Sequence, residues 1–147
     1  FFYPLDSIHN WNRIYGKRGF LQFQCIVSPS PDKAAIRSIF EIIARSGQGS
    51  FLAVLKEFGS VESPGMLSFP RPGTTLTLDF ANLGEPTLQL LERLEKIVVD
   101  NAGAMYPAKD ASMRPESFKQ FYPQWEKFSE YIDPKFSSSL WRRVTRE

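Results

Sequence analysis

A tyrosine and a lysine stand three residues apart in YPAKDASMRPESF, residues 106–118, and an aspartate follows at once. The stretch comes after an apparent strand end and before an apparent helix. The ammonium of Lys109 is a compact point charge that can hold negative charge developing in a reaction. The plain alternative is a solvated lysine in a loop.

A second set of candidate groups alternates along three further segments. In FLQFQCIV (20–27), Gln22 and Gln24 share one face with Phe20 and Ile26, while Leu21, Phe23, Cys25 and Val27 form an apolar back. In TTLTLDF (74–80), Thr75, Thr77 and Asp79 oppose Leu76, Leu78 and Phe80. In SFLAVLKEFG (50–59), Lys56 lies in line with Leu52, Val54 and Phe58. Amides and hydroxyls both donate and accept hydrogen bonds, so these faces suit a polyhydroxylated or anionic ligand. A sheet covered by helices on one side also leaves its other side wet, which gives the same alternation with no ligand at all.

Other chemistries are excluded. The chain has no G-x-S-x-G, no P-loop and no H-E-x-x-H. One histidine, His9, and one cysteine, Cys25, leave no multi-histidine metal site, no zinc cysteine cluster and no intrachain disulfide. Cys25 reads as a small buried hydrophobe in a strand. Gly47 and Gly49 in SGQGSF follow a helix and precede a strand, the reverse of a dinucleotide-binding turn, and the third glycine is missing. A net charge of +2 with no basic run longer than WRR argues against nucleic acid. The closing WRRVTRE reads as a frayed terminal helix rather than a membrane-surface stretch.

The elements that must position these groups follow from periodicity. The three segments are strands. SPSPDKAAIRSIFEIIARSG (28–47) reads as a helix with Ser30 as cap, Pro31 in its first turn, Gly47 at its exit, and Ala35, Ile36, Ile39, Phe40 and Ile43 as its apolar stripe. PTLQLLERLEKIVVDNAG (86–103) is a second helix, ending near Gly103. GMLSF (65–69) and AMY (104–106) add two short strands. Beyond Tyr106, Pro115, Pro123 and Pro134 leave only short helical pieces. These elements predict an α+β fold: an antiparallel sheet with helices on one face, ferredoxin-like in its elements, then a short helical segment. The loss of strands places a boundary between residues 1–103 and 104–147. At 147 residues, with 42% hydrophobic and 23% charged, the chain suits one ordinary core. No apolar run approaches the roughly 20 residues of a membrane span, and a place in the cytoplasm or on a membrane periphery is expected. The opening FFYPLDSIHNWN has no Met, and residue 1 is expected to be an internal position of a longer product.

Five blocks occur in order: FYPLD…WNRIYGKRGFLQFQ, SFLAVLKEFG, LSFPRPG…LDF, MYPAKDA and FYPQWEKF…DP. Together they resemble the C-terminal part of FAD-linked oxidoreductases of the vanillyl-alcohol-oxidase type, especially the decaprenylphosphoryl-ribose oxidases and the aldonolactone oxidases such as D-arabinono-1,4-lactone oxidase. The resemblance covers nearly the whole chain. It implies that an N-terminal domain binds FAD, that residues 1–103 are most of a substrate domain, and that the chain from about 104 returns to the FAD domain. It places Lys109 and Tyr106 beside the flavin and the reacting carbon, as catalytic and cofactor-binding residues. It places Gln24, Lys56 and Phe58 in the substrate pocket. Where the ribose oxidases read G-W-N-x-C-x-D-F, this chain has GTTLTLDF, so Thr75 and Thr77 stand at the asparagine and cysteine positions and the case for the same lipid-linked substrate weakens. The implied substrate is a sugar or sugar lactone, oxidised by hydride transfer to flavin. Tyr106 would position its hydroxyl, since an ordinary pKa of about 10 makes a poor base.

The competing expectation is a self-sufficient, non-catalytic, ferredoxin-like module that binds a small polar ligand. The oxidase reading expects instead that the chain alone is inactive and that an uncovered sheet edge invites self-association.

Overall fold

The computed structural model describes residues 7, 9–30 and 32–146. A 3-10 turn, Trp11–Tyr15, leads into strand β1, Phe20–Val27. Helix α1 (Ala34–Ser46), strands β2 (Ala53–Phe58) and β3 (Gly73–Ala81), helix α2 (Glu85–Asp100) and strand β4 (Ala104–Met105) follow. A 3-10 turn, Pro107–Lys109, opens the last part, which holds α3 (Pro115–Phe121), α4 (Trp125–Ser129) and α5 (Ser139–Val144).

The sheet order is β2-β3-β1-β4, and every neighbouring pair is antiparallel. With the chain order β-α-β-β-α-β this is the ferredoxin-like arrangement, and the α+β expectation is met. Each of the two long helices joins two parallel, non-adjacent strands, and both lie on one face, where α1 and α2 pack together. The core between helices and sheet holds Phe23, Cys25, Leu76, Leu78 and Phe80 from the strands, Ile36 and Ile39 from α1, and Leu91, Leu94 and Val98 from α2. Burial pushes the Cys25 thiol up to about 12, so it stays protonated and inert. No helix of the described residues is long and apolar enough to cross a membrane.

Four expectations change. The stretch 65–69 is not a strand: Ser68 N–H closes a turn onto Gly65 O at 3.1 Å, and Pro64, Pro70 and Pro72 deny its surroundings the donors a ladder needs. Helix α1 begins at Ala34, not near residue 31. Ser30 does not cap it; Ser30 Oγ donates to Asp32, whose carboxylate accepts the Ala34 N–H at 3.2 Å. Pro31 lies outside the described residues. Phe40 of the expected apolar stripe is 42% exposed, on the outer side of the helix. The tail is less loose than expected: α5 runs to Val144, which is buried and holds it against the core.

Candidate functional site

Register decides which side chains share the face away from α1 and α2. Gln24 pairs with Thr77, and Thr77 with Val54. Tyr106 continues that row, since its N–H donates to Gln24 O at 2.8 Å just beyond the Cys25–Met105 pair. Val54, Thr77 and Gln24 therefore form one row across β2, β3 and β1, which Tyr106 extends just past the end of β4. The next row is Lys56, Thr75, Ile26 and Ala104, and on the other side Asp79 stands opposite Gln22. Phe58 lies beyond Lys56, opposite Gly73. Every substrate-pocket residue named from the sequence falls on this one face together with Tyr106. The register also assigns the faces of β2: Val54, Lys56 and Phe58 belong to the polar front, and Ala53, Leu55 and Glu57 to the back.

This front is not simply wet. Thr75, Thr77, Asp79 and Gln24 are 1%, 6%, 5% and 8% exposed. Two segments lie over it. The turn before β1 brings Tyr15, whose hydroxyl donates to Asp79 at 3.4 Å while Gln22 Nε2 donates to the other carboxylate oxygen at 3.0 Å. Burial, and then the Asp79 charge, raise the Tyr15 pKa, so Tyr15 is a hydrogen-bond donor and not a base. The connection between β2 and β3 brings Phe69, whose ring lies 4.9 Å from that of Tyr106 and 6.3 Å from that of Phe58. Tyr15 and Phe69 escaped the sequence reading because nothing local signals a contact across 64 residues, or a loop folding back over its own sheet.

The polar groups divide into two sets. Asp79 is satisfied by Gln22 and Tyr15. Thr75 Oγ1 donates to Cys25 O at 2.8 Å and accepts from Gln24 Nε2 at 3.3 Å. By contrast, the described residues offer no hydrogen-bond partner to the Thr77 and Tyr106 hydroxyls, or to Lys56 Nζ. Lys56 is exposed at the rim. Lys109 ends the turn that begins after Tyr106; its N–H donates to Tyr106 O at 3.0 Å, and its half-buried side chain makes no hydrogen bond or ion pair with any described residue. Lys109 is thus off the sheet, at the β4 end of the row. A cleft of about 220 Å³ beside Tyr106 is lined by Leu67, Pro107, Phe118, Leu140 and Trp141 among others.

Fold and face together define an α+β sheet domain presenting a band of amides, hydroxyls and lysines. No protein-family model matches the chain. Over 152 aligned positions that cover 98% of the chain, it is 38% identical to the decaprenylphosphoryl-β-D-ribose oxidase of Mycolicibacterium smegmatis (strain ATCC 700084 / mc(2)155), covering 32% of that protein. Across 145 residues, 95% of the chain, it is 32% identical to an uncharacterized protein in the mprA 5′ region of Streptomyces coelicolor, covering 38% of it. The chain spans about a third of the length of these curated relatives. The resemblance to the decaprenylphosphoryl-ribose oxidases read from the five sequence blocks is borne out over nearly the whole length of the chain.

Proposed function

We propose that the chain is the substrate-facing part of an FAD-dependent oxidoreductase that oxidises an alcohol carbon of a sugar or sugar lactone. The observation that carries this reading is the row Thr77–Gln24–Tyr106, whose Thr77 and Tyr106 hydroxyls find no partner among the described residues, with Lys109, whose side chain likewise finds none among them, in the turn that follows Tyr106. Residues 1–103 act as the substrate domain, and the chain from 104 onward leads back to an FAD domain that carries most of the cofactor contacts. Lys109 and Tyr106 fit the ring end of that cofactor, because one brings a cation and the other a hydroxyl that no described residue engages. When bound, FAD supplies the two-electron acceptor: the alcohol carbon gives up a hydride, its hydroxyl proton passes to solvent, and the carbon becomes a carbonyl.

Each residue then has a task. Lys109 holds a fixed positive charge where negative charge develops. Tyr106 orients the reacting hydroxyl. Thr77 and the free oxygen of Gln24 take neighbouring sugar hydroxyls, and Lys56 at the rim takes a phosphate or an outer hydroxyl as a point charge. Phe58, backed by the buried ring of Phe69, gives an apolar wall for the sugar's C–H face. With Thr75 and Thr77 in place of an amide and a thiol, an aldonolactone fits as well as a lipid-linked ribose. The test is Lys109→Met in the full-length protein. Substrate-driven flavin reduction should fall about 10²–10³-fold, the loss typical of removing one preorganised electrostatic group. Unchanged reduction kinetics would overturn the role.

A further inference from the structure

We propose that Arg143 and Asp110 are positioning residues that hold Lys109 in place, an inference that rests on the reading of Lys109 as the flavin-side cation. The Lys109 side chain has no partner among the described residues, so the backbone on either side is what fixes the point from which it extends. On the N-terminal side, Tyr106 N–H is tied to Gln24 O at 2.8 Å, and Lys109 N–H to Tyr106 O at 3.0 Å. On the C-terminal side the anchor is Asp110. Its side chain is wholly buried and accepts the N–H groups of Ser112 at 2.9 Å and Met113 at 2.6 Å. It also pairs with the guanidinium of Arg143, 33 residues further along on α5.

Arg143 takes a second hold. Its Nη1 donates to Ala111 O at 2.6 Å, so one guanidinium grips both the side chain of Asp110 and the main chain of the next residue. Its Nε is buried with no partner among the described residues, while the other two nitrogens keep their bonds. The helix behind it is itself fixed. Ser138 Oγ caps α5 by accepting Trp141 N–H at 3.0 Å, Trp141 packs on Phe118 at 6.1 Å and Phe128 at 5.7 Å, and Val144 is buried. An Asx-type turn at Asp110 needs only the two N–H groups. The planar fork of Arg143 adds a tether from the last helix to the residue after Lys109, and a lysine cannot reproduce its two-pronged grip.

The experiment uses the full-length, FAD-loaded protein with Arg143→Lys, Arg143→Met and Lys109→Met, and with Arg143→Lys combined with Lys109→Met. The flavin midpoint potential, retained FAD and melting temperature are measured beside kcat and KM. Arg143→Lys is expected to keep FAD and fold, to shift the potential toward that of Lys109→Met, and to lower kcat about tenfold or more with little change in KM, since small misplacements cost up to about 10²-fold. In the Lys109→Met background it should change neither potential nor kcat. A wild-type potential and kcat in Arg143→Lys, or equal losses in both backgrounds, would overturn the proposal. Where Arg143→Met does not fold, Arg143→Lys decides. A potential unmoved by Lys109→Met overturns the underlying reading of Lys109 instead.

Discussion

At Gly103 a Cβ would lie 2.3 Å from the Ile26 carbonyl oxygen and 2.8 Å from a Val98 methyl. The glycine read from the sequence as a helix stop is there because β4 must approach β1. The left-handed residue at the end of α2 is Ala102, with φ 48°. Ala102 N–H reaches Val99 O at 3.2 Å, and Gly103 N–H reaches Val98 O at 2.9 Å, the paired closure of a Schellman turn. Gly103→Ala should therefore destabilise by about 1–3 kcal/mol or more through the forced shift. Ala102→Gly should stabilise by about 0.5–1 kcal/mol by relieving the left-handed conformation. Denaturant midpoints at unchanged m report both. Tyr122 adds a pH effect. Its hydroxyl donates to Met105 O at 2.6 Å, and burial raises its pKa. A raised folded-state pKa means a contribution fully present below the unfolded value of about 10 and lost as pH climbs above it. Stability should fall in that alkaline range, and Tyr122→Phe should flatten the fall while losing about 1 kcal/mol at neutral pH.

The strands and both long helices were legible because alternation and 3.6-residue periodicity are local signals. The faces of β1 and β3 were legible for the same reason. What sequence alone could not supply was register, which turns three separate polar alternations into rows, and the two segments that cover them. The connection 59–72 is the clearest case. MLSF alternates like a strand, yet the prolines around it exclude pairing, and Phe69 is buried because it crosses the face of the sheet. Arg71 latches this segment. Its guanidinium donates to Phe121 O at 3.2 Å, Ser68 O at 3.4 Å and Phe69 O at 3.3 Å, and lies 5.6 Å from the Tyr122 ring centre. Arg71→Met should leave the sheet intact and cost about 1–2 kcal/mol. Limited proteolysis should then cut within 59–72 first. Wild-type resistance there would show that Phe69 alone holds the loop.

Across the whole molecule, the end of the strands near residue 103 is a change of element without a gap in packing. Met113, Phe118, Phe121, Tyr122 and Val144 are buried in the same core as Phe23, Leu76 and Leu94. Helix α3 packs on α2, β4 and α5. Its start is tied down by Glu95, a carboxylate 1% exposed on α2 that accepts Arg114 N–H at 3.1 Å and its Nε at 3.4 Å. A lysine held by this last segment is therefore braced by the sheet itself. Phe118, 2% exposed and in contact with the rings of Tyr122 and Trp141, tests that coupling. Phe118→Ala should cost about 3–5 kcal/mol. In native-state hydrogen exchange the loss should appear alike in α3 amides and in those of β1 and β3, because one cooperative unit opens as a whole. A loss confined to α3, with strand amides as protected as before, would mean that the helices open by themselves and that nothing they hold is braced by the sheet.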